Sequence, residues 1–388
     1  MTSTIEDRLL EADGRPSGFD YMRLALALAV FMLHIPATNF GDAVQNALFL
    51  HFLRPISAIV LPMFFALSGF LVAGSLARCK TLVSFLGLRV LRIVPALAAE
   101  VFLSGIILGS LFTTLPLRRY FLSWGLVKYF LNIVGDVQFS LPGVFYSNPH
   151  PGVVNQQLWT VPWELDCYIL LAALALVGIV RKPIVLVGTI VVICIAALLN
   201  DLFDPPQLWV NVHGIILVES FIVGVAFFCF RTAIRVSGAI FILSLAATMA
   251  LLFVPYGTDF PYGDYFVACP AAYVTVYLGL LNPARVKLLL GGDYSYGIYL
   301  YGFPIQQAVA AAAPSLRSVT FCLLVALPLT VAFAAGSWRL VEKHALRLRP
   351  WLPAEKFSAR LRCLLGSRRP CLVVLQIASN LFQVAFGR

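Results

Sequence analysis

An arginine and a histidine stand eleven positions apart in FDYMRLALALAVFMLHI, a stretch that is otherwise almost wholly apolar: Arg23 and His34. At 100° per residue they fall on one helical face, ~16 Å apart along the axis. An imidazole held at such a depth can act as a general base near neutral pH. A guanidinium at the mouth suits the oxygens of a phosphate, and Asp20, three residues earlier, can orient it. The blander readings are a histidine hydrogen-bonded between helices and an arginine snorkelling to an interface. Their shared face argues for a joint role.

Other polar groups lie where hydrocarbon is expected, and each is a candidate because ionisable groups there are costly. In QQLWTVPWELDCYILL, Glu164 lies about seven residues in, or ~10 Å, which sets a carboxylate at the expected level of His34 as its orienting partner. Tyr168 shares the Glu164 face at i+4, whereas Asp166 is turned about 200° away. Arg89 and Arg92, in the loop LRVLRIVP expected before the third span, present one basic face to a phosphate-bearing ligand. Ser68, in LPMFFALSGFLVAG, reads first as small-residue helix packing and second as part of a ligand route. Tyr296 and Tyr299, in GGDYSYGIYLYGFPIQQ, read as interfacial anchors or, with Gln306 and Gln307, as a polar wall for an acceptor. Glu100, Glu219 and His213 are expected to line the same cavity or pair with one another. No phosphate-binding P-loop, nucleophile elbow or metal motif is present, so no bound cofactor or metal is expected.

The elements that must position these groups follow from composition. The chain has 388 residues, 60% hydrophobic and 12% charged. A soluble domain needs about twice that charge to clothe its surface, and disorder is excluded for the same reason. The net charge of +10 therefore points to basic loops on an anionic leaflet and not to nucleic acid. The eight cysteines form no disulfide or zinc pattern and read as small packing residues. The expected fold is an all-α polytopic membrane protein. Apolar runs of spanning length lie near 21–40, 55–77, 93–114, 157–180, 183–200, 207–230, 236–255, 265–281, 294–313 and 319–340.

With both termini in the cytoplasm, 23 of the 28 Lys and Arg residues face inward, as the positive-inside rule requires. Residues 1–20 then form a cytoplasmic leader, 21–346 the transmembrane domain, and 347–388 a basic tail with an interfacial segment. The stretch 120–134 is short for a span and carries Lys128, so it is expected to lie at the interface.

Arginine, ten residues and then histidine in the opening helix resembles the hallmark of the membrane acyltransferase-3 family. MFFALSGFLVAG, LRVLRIVPAL, LWTVPWELDCYILL, DYSYGIYLYGFP and SWRLVEKHAL resemble, in order, further segments of that family across residues 19–346. The resemblance implies a ten-helix enzyme of the bacterial inner membrane. It would move an acyl group, most commonly acetyl, from cytoplasmic acyl-CoA to a hydroxyl of a surface or lipid-linked glycan. His34 and Glu164 would be catalytic, Arg23, Arg89 and Arg92 would hold the acyl-CoA, and Ser68, Tyr168, Tyr296 and Tyr299 would line the site. Gly302 stands where many members carry a second histidine, so a two-histidine mechanism does not transfer from the family. His344 replaces a proline after Glu342, and no esterase-like domain follows, which leaves room for a separate extracytoplasmic acceptor-handling protein. The competing reading is a proton-coupled transporter or flippase of a glycan precursor, with His34, Glu164 and Glu219 as a relay.

Overall fold

A computed structural model of the chain describes residues 3–49, 53–203, 212–253, 262–286 and 292–352. Among these, helix is the only extended regular structure; strand pairing is limited to two isolated bridges, Thr4 with Arg235 and Thr113 with Val144. That is the expected outcome for apolar segments that must satisfy their own backbone groups in lipid. Ten main helices follow in order. They are α1 (Gly18–Phe40), α2 (Arg54–Arg78), α3 (Leu82–Phe112), α4 (Gln156–Leu176) and α5 (Pro183–Phe203). The second half comprises α6 (Gly214–Cys229), α7 (Gly238–Leu252), α8 (Ala268–Gly279), α9 (Ser295–Ala312) and α10 (Val319–Leu346). Every apolar run read from the sequence holds one of them. Five of these helices, α1 to α4 and α10, are long and apolar enough to cross a membrane.

α3 departs from expectation. It starts at Leu82, not near 93, because Thr81 caps it by accepting a hydrogen bond from the backbone N–H of Ser84 at 3.0 Å. Arg89 and Arg92 therefore sit on a helix and not in a loop. At 31 residues α3 is about 46 Å long. It outruns the hydrocarbon core of ~30 Å, which leaves its charged first turns at the headgroup level. The segment 120–134 breaks into short helices, Trp124–Tyr129 and Phe130–Val134 among them, and none is long enough to cross. The basic tail falls almost entirely outside the described residues.

Loop-to-loop contacts sort the connections into two sets. In the first, the leader helix Ile5–Glu11 is strapped to the α6–α7 connection: Ile5 N–H donates to Ile234 at 3.0 Å, Val236 N–H donates to Ser3 at 2.8 Å, and Glu6 pairs with Arg231. The start of α1 is tied to the segment after α8, where the Ser17 hydroxyl donates to the Pro283 carbonyl at 2.5 Å and Tyr21 donates to Ala284 at 2.7 Å. In the second set, Arg54 at the head of α2 donates to the Leu252 carbonyl at 2.8 Å and pairs with Asp264 at 2.5 Å, both ions buried. The end of α1 meets the 143–152 loop there through Asp42 and His150.

The tightest packing lies between α2 and α6. A methyl group added to Gly69 would overlap the Phe221 carbonyl oxygen, and one on Gly224 would overlap that of Ala66. Absence of side chains at this crossing lets two backbones touch, the usual device where no hydrophobic force drives helices together in lipid. The neighbouring Ser68 is thereby fixed in direction.

Candidate active site

α1, α3, α9 and α10 converge on one carboxylate. Asp293, just before α9, accepts from Arg23 of α1 at 2.9 Å and from Arg92 of α3 at 2.5 Å through its Oδ2. Its Oδ1 accepts from the Ser295 hydroxyl at 2.5 Å and the Ser295 N–H at 3.3 Å, which ties the carboxylate to the first residue of α9. Burial alone would push this carboxyl up, but the Arg92 and Arg23 guanidiniums and the Ser295 bonds outweigh it and hold the group well below the ordinary carboxylate range. Asp20 stands 3.7 Å from Arg23 and is a minor partner, being shared with Arg285 at 3.5 Å. The buried Glu342 of α10 stands 3.7 Å from Arg92.

Glu164 belongs to this same mouth. It accepts from Tyr168 one turn later at 2.5 Å, and the Tyr168 hydroxyl lies 3.5 Å from that of Ser68. Its carboxylate sits in the field of Arg92 and Arg89. Tyr296 reaches in from α9, with its hydroxyl 3.5 Å from the Ile93 carbonyl. Arg89 differs from its neighbours: it donates to the Ser75 hydroxyl at 3.2 Å and lies 5.9 Å from the ring centres of both Phe85 and Tyr168. It has no carboxylate within ion-pair distance among the described residues.

His34 stands elsewhere. Its ring meets Phe303 of α9 edge to face at 5.1 Å, and its Nδ1 is sealed from solvent with no hydrogen-bond partner. The residue as a whole keeps part of its surface open. No hydrogen bond or ion pair joins it to Glu164, which corrects the expectation of a pair at one level. The reason is the entry of α4. Asn155 and Gln157, at the first turn, are fully buried, with Asn155 donating to Glu100 at 3.1 Å and to the Leu300 carbonyl at 3.0 Å. The first turn of the helix is therefore covered by the bundle, and Glu164 lies in the field of the arginines.

Tyr299 lies between the two regions. It shares a 2.5 Å hydrogen bond with Thr160, donates to the Gln157 carbonyl at 3.0 Å and abuts Phe64 at 5.8 Å. Two further expectations are corrected. Glu100, Glu219 and His213 do not pair: Glu100 accepts from Ser104 at 2.7 Å, and Glu219 accepts from Cys194 at 2.8 Å. His213 lies in the field of Asp264. Gln306 and Gln307 form no open wall. Gln306 donates to the Phe31 carbonyl at 2.8 Å, and Gln307 donates to the carbonyls of His150 at 2.8 Å and Val153 at 2.7 Å.

Sequence reasoning missed Asp293. An aspartate two residues before a serine at a helix start is an N-cap signal, and it stands opposite the most basic elements of the chain.

The site thus has an arginine–carboxylate mouth and, about three helical turns along α1, an imidazole, within a polytopic helical bundle. A family model described as an acyltransferase domain matches residues 17–337, and the chain belongs to the acyltransferase-3 family. It is 26% identical over 336 residues to a protein of Shigella phage Sf6 named O-acetyl transferase, covering 84% of this chain and 95% of that one. It is 28% identical over 382 residues to nodulation protein 10 of Rhizobium leguminosarum bv. viciae, covering 89% and 98% respectively. No solved structure matches the chain.

Proposed function

We propose that this acyltransferase moves acetyl from cytoplasmic acetyl-CoA to a hydroxyl of a surface or lipid-linked glycan, as an enzyme of the bacterial inner membrane. The observation that carries this reading is a single helix, α1, which places Arg23 in the mouth and His34 beyond it on the same face. The ~16 Å between them matches an extended pantetheine arm, with the phosphates at the mouth and the thioester inside.

In this reading the ten helices all cross, both termini lie in the cytoplasm, and residues 21–346 form the acyltransferase unit. The first set of loop contacts then marks the inner face and the second the outer face. Arg89 is the guanidinium not already held by an acid, so it meets the phosphates first. Arg23 and Arg92 follow as Asp293 yields them. Glu164 works with Tyr168 and Arg89 on the donor side. His34 takes the proton of the acceptor hydroxyl as its oxygen attacks the thioester carbonyl, the C–O bond forms, and the C–S bond breaks.

The test is mass spectrometry and NMR of surface glycans from a deletion strain complemented with wild type or with His34→Ala. An ester lost on deletion, restored by wild type and absent with His34→Ala supports the enzyme and identifies acyl group and acceptor together. Unchanged esters with altered glycan export would replace it with a transporter.

A further inference from the structure

A second imidazole lies beside His34, and it comes from a different part of the chain. His150, on the 143–152 loop, bonds through Nδ1 to the Asp42 carboxylate at 2.6 Å. An ionised carboxylate only accepts, so Nδ1 carries a proton, and in the neutral ring Nε2 is then the nitrogen that presents a lone pair. That Nε2 is sealed from solvent and has no partner, and nine-tenths of the side chain is buried. The His150 ring packs edge to face on Phe303 at 5.7 Å, the same ring that His34 meets at 5.1 Å, and the two imidazoles lie in each other's field.

The loop is held firmly. Gln307 donates to the His150 carbonyl at 2.8 Å, Asn148 donates back to Gln307 at 2.9 Å, and the Pro149 carbonyl closes on Gly41, whose φ of 93° few other residues adopt. Asp42 in contrast keeps 55% of its side chain exposed. The series therefore runs from an open nitrogen edge on His34, through two sealed and unpartnered ring nitrogens, to a carboxylate in contact with water.

We infer that His150, oriented by Asp42, is a proton-relay residue acting through His34. This rests on the acyltransfer reading above. As the acceptor oxygen bonds to the acyl carbon, its proton passes to His34. No direct bond joins the rings in the resting arrangement, so His34 passes its Nδ1 proton to His150 Nε2 when the two imidazoles, which share Phe303, turn into contact. His150 is then an imidazolium paired with Asp42, and it releases a proton to water at the exposed carboxylate. The CoA thiolate takes its proton from water on the cytoplasmic side, so charge and atoms balance.

The experiment uses the full chain in lipid nanodiscs, acetyl-CoA, and glycan from the deletion strain stripped of esters by mild alkali. His150→Gln and Asp42→Asn are each expected to lower kcat ~10–100-fold, the usual loss for an orienting partner, with KM for acetyl-CoA unchanged. Wild type should show a curved two-proton solvent-deuterium inventory that becomes linear in His150→Gln, and added imidazole should restore His150→Ala. Wild-type kcat with a curved inventory in His150→Gln overturns the relay. So does slow turnover with an unaltered inventory and no imidazole rescue, which marks a structural role. Should His150→Gln fail to fold, the surface variant Asp42→Asn decides by the same inventory. Absence of transfer by wild type overturns the acyltransfer reading itself, a result distinct from a fully active His150→Gln.

Discussion

The arginine mouth and the chamber around Phe303 use opposite electrostatics. At the mouth, Arg23, Arg92 and Asp293 are charged groups held in a shared network, and they keep a quarter to a third of their side chains exposed. In the chamber, the groups around Phe303 are imidazoles and amides, and His34 Nδ1, His150 Nε2 and both Gln157 amide atoms are sealed without partners. Paired, wet charges can exchange one counterion for another at little cost, which suits recruitment of an anionic donor. Sealed, unpartnered polar atoms are costly to maintain, and such a cost is met at sites built for a neutral hydroxyl and its proton. Under the proposed function, donor and acceptor would thus be separated by charge.

Substitutions that hit only one region would sharpen that contrast. The largest effect is expected from His34→Ala, a loss of ~10²–10⁴-fold in kcat, the range for a general base, with membrane abundance unchanged on immunoblots. Arg89→Ala should raise KM for acetyl-CoA ~10–100-fold at nearly constant kcat, as removal of one charge-assisted hydrogen bond of about 1.5–3 kcal/mol implies. Arg89→Lys should recover only part of it, because an ammonium cannot form the guanidinium fork. Initial-rate kinetics against acetyl-CoA checks both. A fall in kcat with unaltered KM in Arg89→Ala would move that arginine out of donor binding.

Asp293→Asn is the variant that tests whether the mouth works by counterion exchange. Asparagine keeps an oxygen that can accept from Ser295, while Arg23 and Arg92 lose the carboxylate that competes with phosphate. KM for acetyl-CoA is expected to fall ~3-fold or more, corresponding to about 0.7 kcal/mol, opposite in sign to Arg89→Ala. The arginines hold the Asp293 carboxyl well below its ordinary range. Its contribution to stability is therefore fully present above the unfolded-state carboxylate range and is lost only as pH falls through the depressed value. Mild acidification should leave the Asp293 pairs with Arg23 and Arg92 intact, so an acid limb that vanishes in Asp293→Asn would contradict this.

Much of the architecture was legible because lipid imposes a long apolar run on each spanning helix, and each run overlaps one of α1 to α10, with the start of α3 missed by about eleven residues. The arginine mouth was legible in part, since Arg23, Arg89 and Arg92 announce themselves by charge in apolar surroundings. What linear reasoning could not supply was depth. Glu164 was assigned to the level of His34 on the assumption that α4 starts at the membrane surface, and the buried Asn155 and Gln157 show that it starts within the bundle. Asp42, in the first turn of the short helix Asp42–Phe49, and His150, in a loop, are 108 residues apart, so only their three-dimensional contact reveals them. The role of Gln307 was hidden for the same reason, because its partners are backbone carbonyls of a distant loop.

The smallest expected effect belongs to Gly302→Ala, and it probes the floor of the chamber. A methyl group there would lie 3.1 Å from a Phe31 ring carbon and 3.7 Å from the Gln157 amide nitrogen. Helical alanine is favoured over glycine by about 0.8–1.0 kcal/mol, while a shift of Phe31 by a few tenths of an ångström costs about 1 kcal/mol or more in a packed site. The two terms offset, and the melting temperature should move by no more than a few degrees. Rate is the more informative readout. If acceptor hydroxyls are held beside His34 by the unpartnered Gln157 amide, the added methyl should raise acceptor KM several-fold while acetyl-CoA KM stays put. Equal effects on both substrates would mean that the chamber and the mouth are coupled through α1, and the division of labour between them would have to be redrawn.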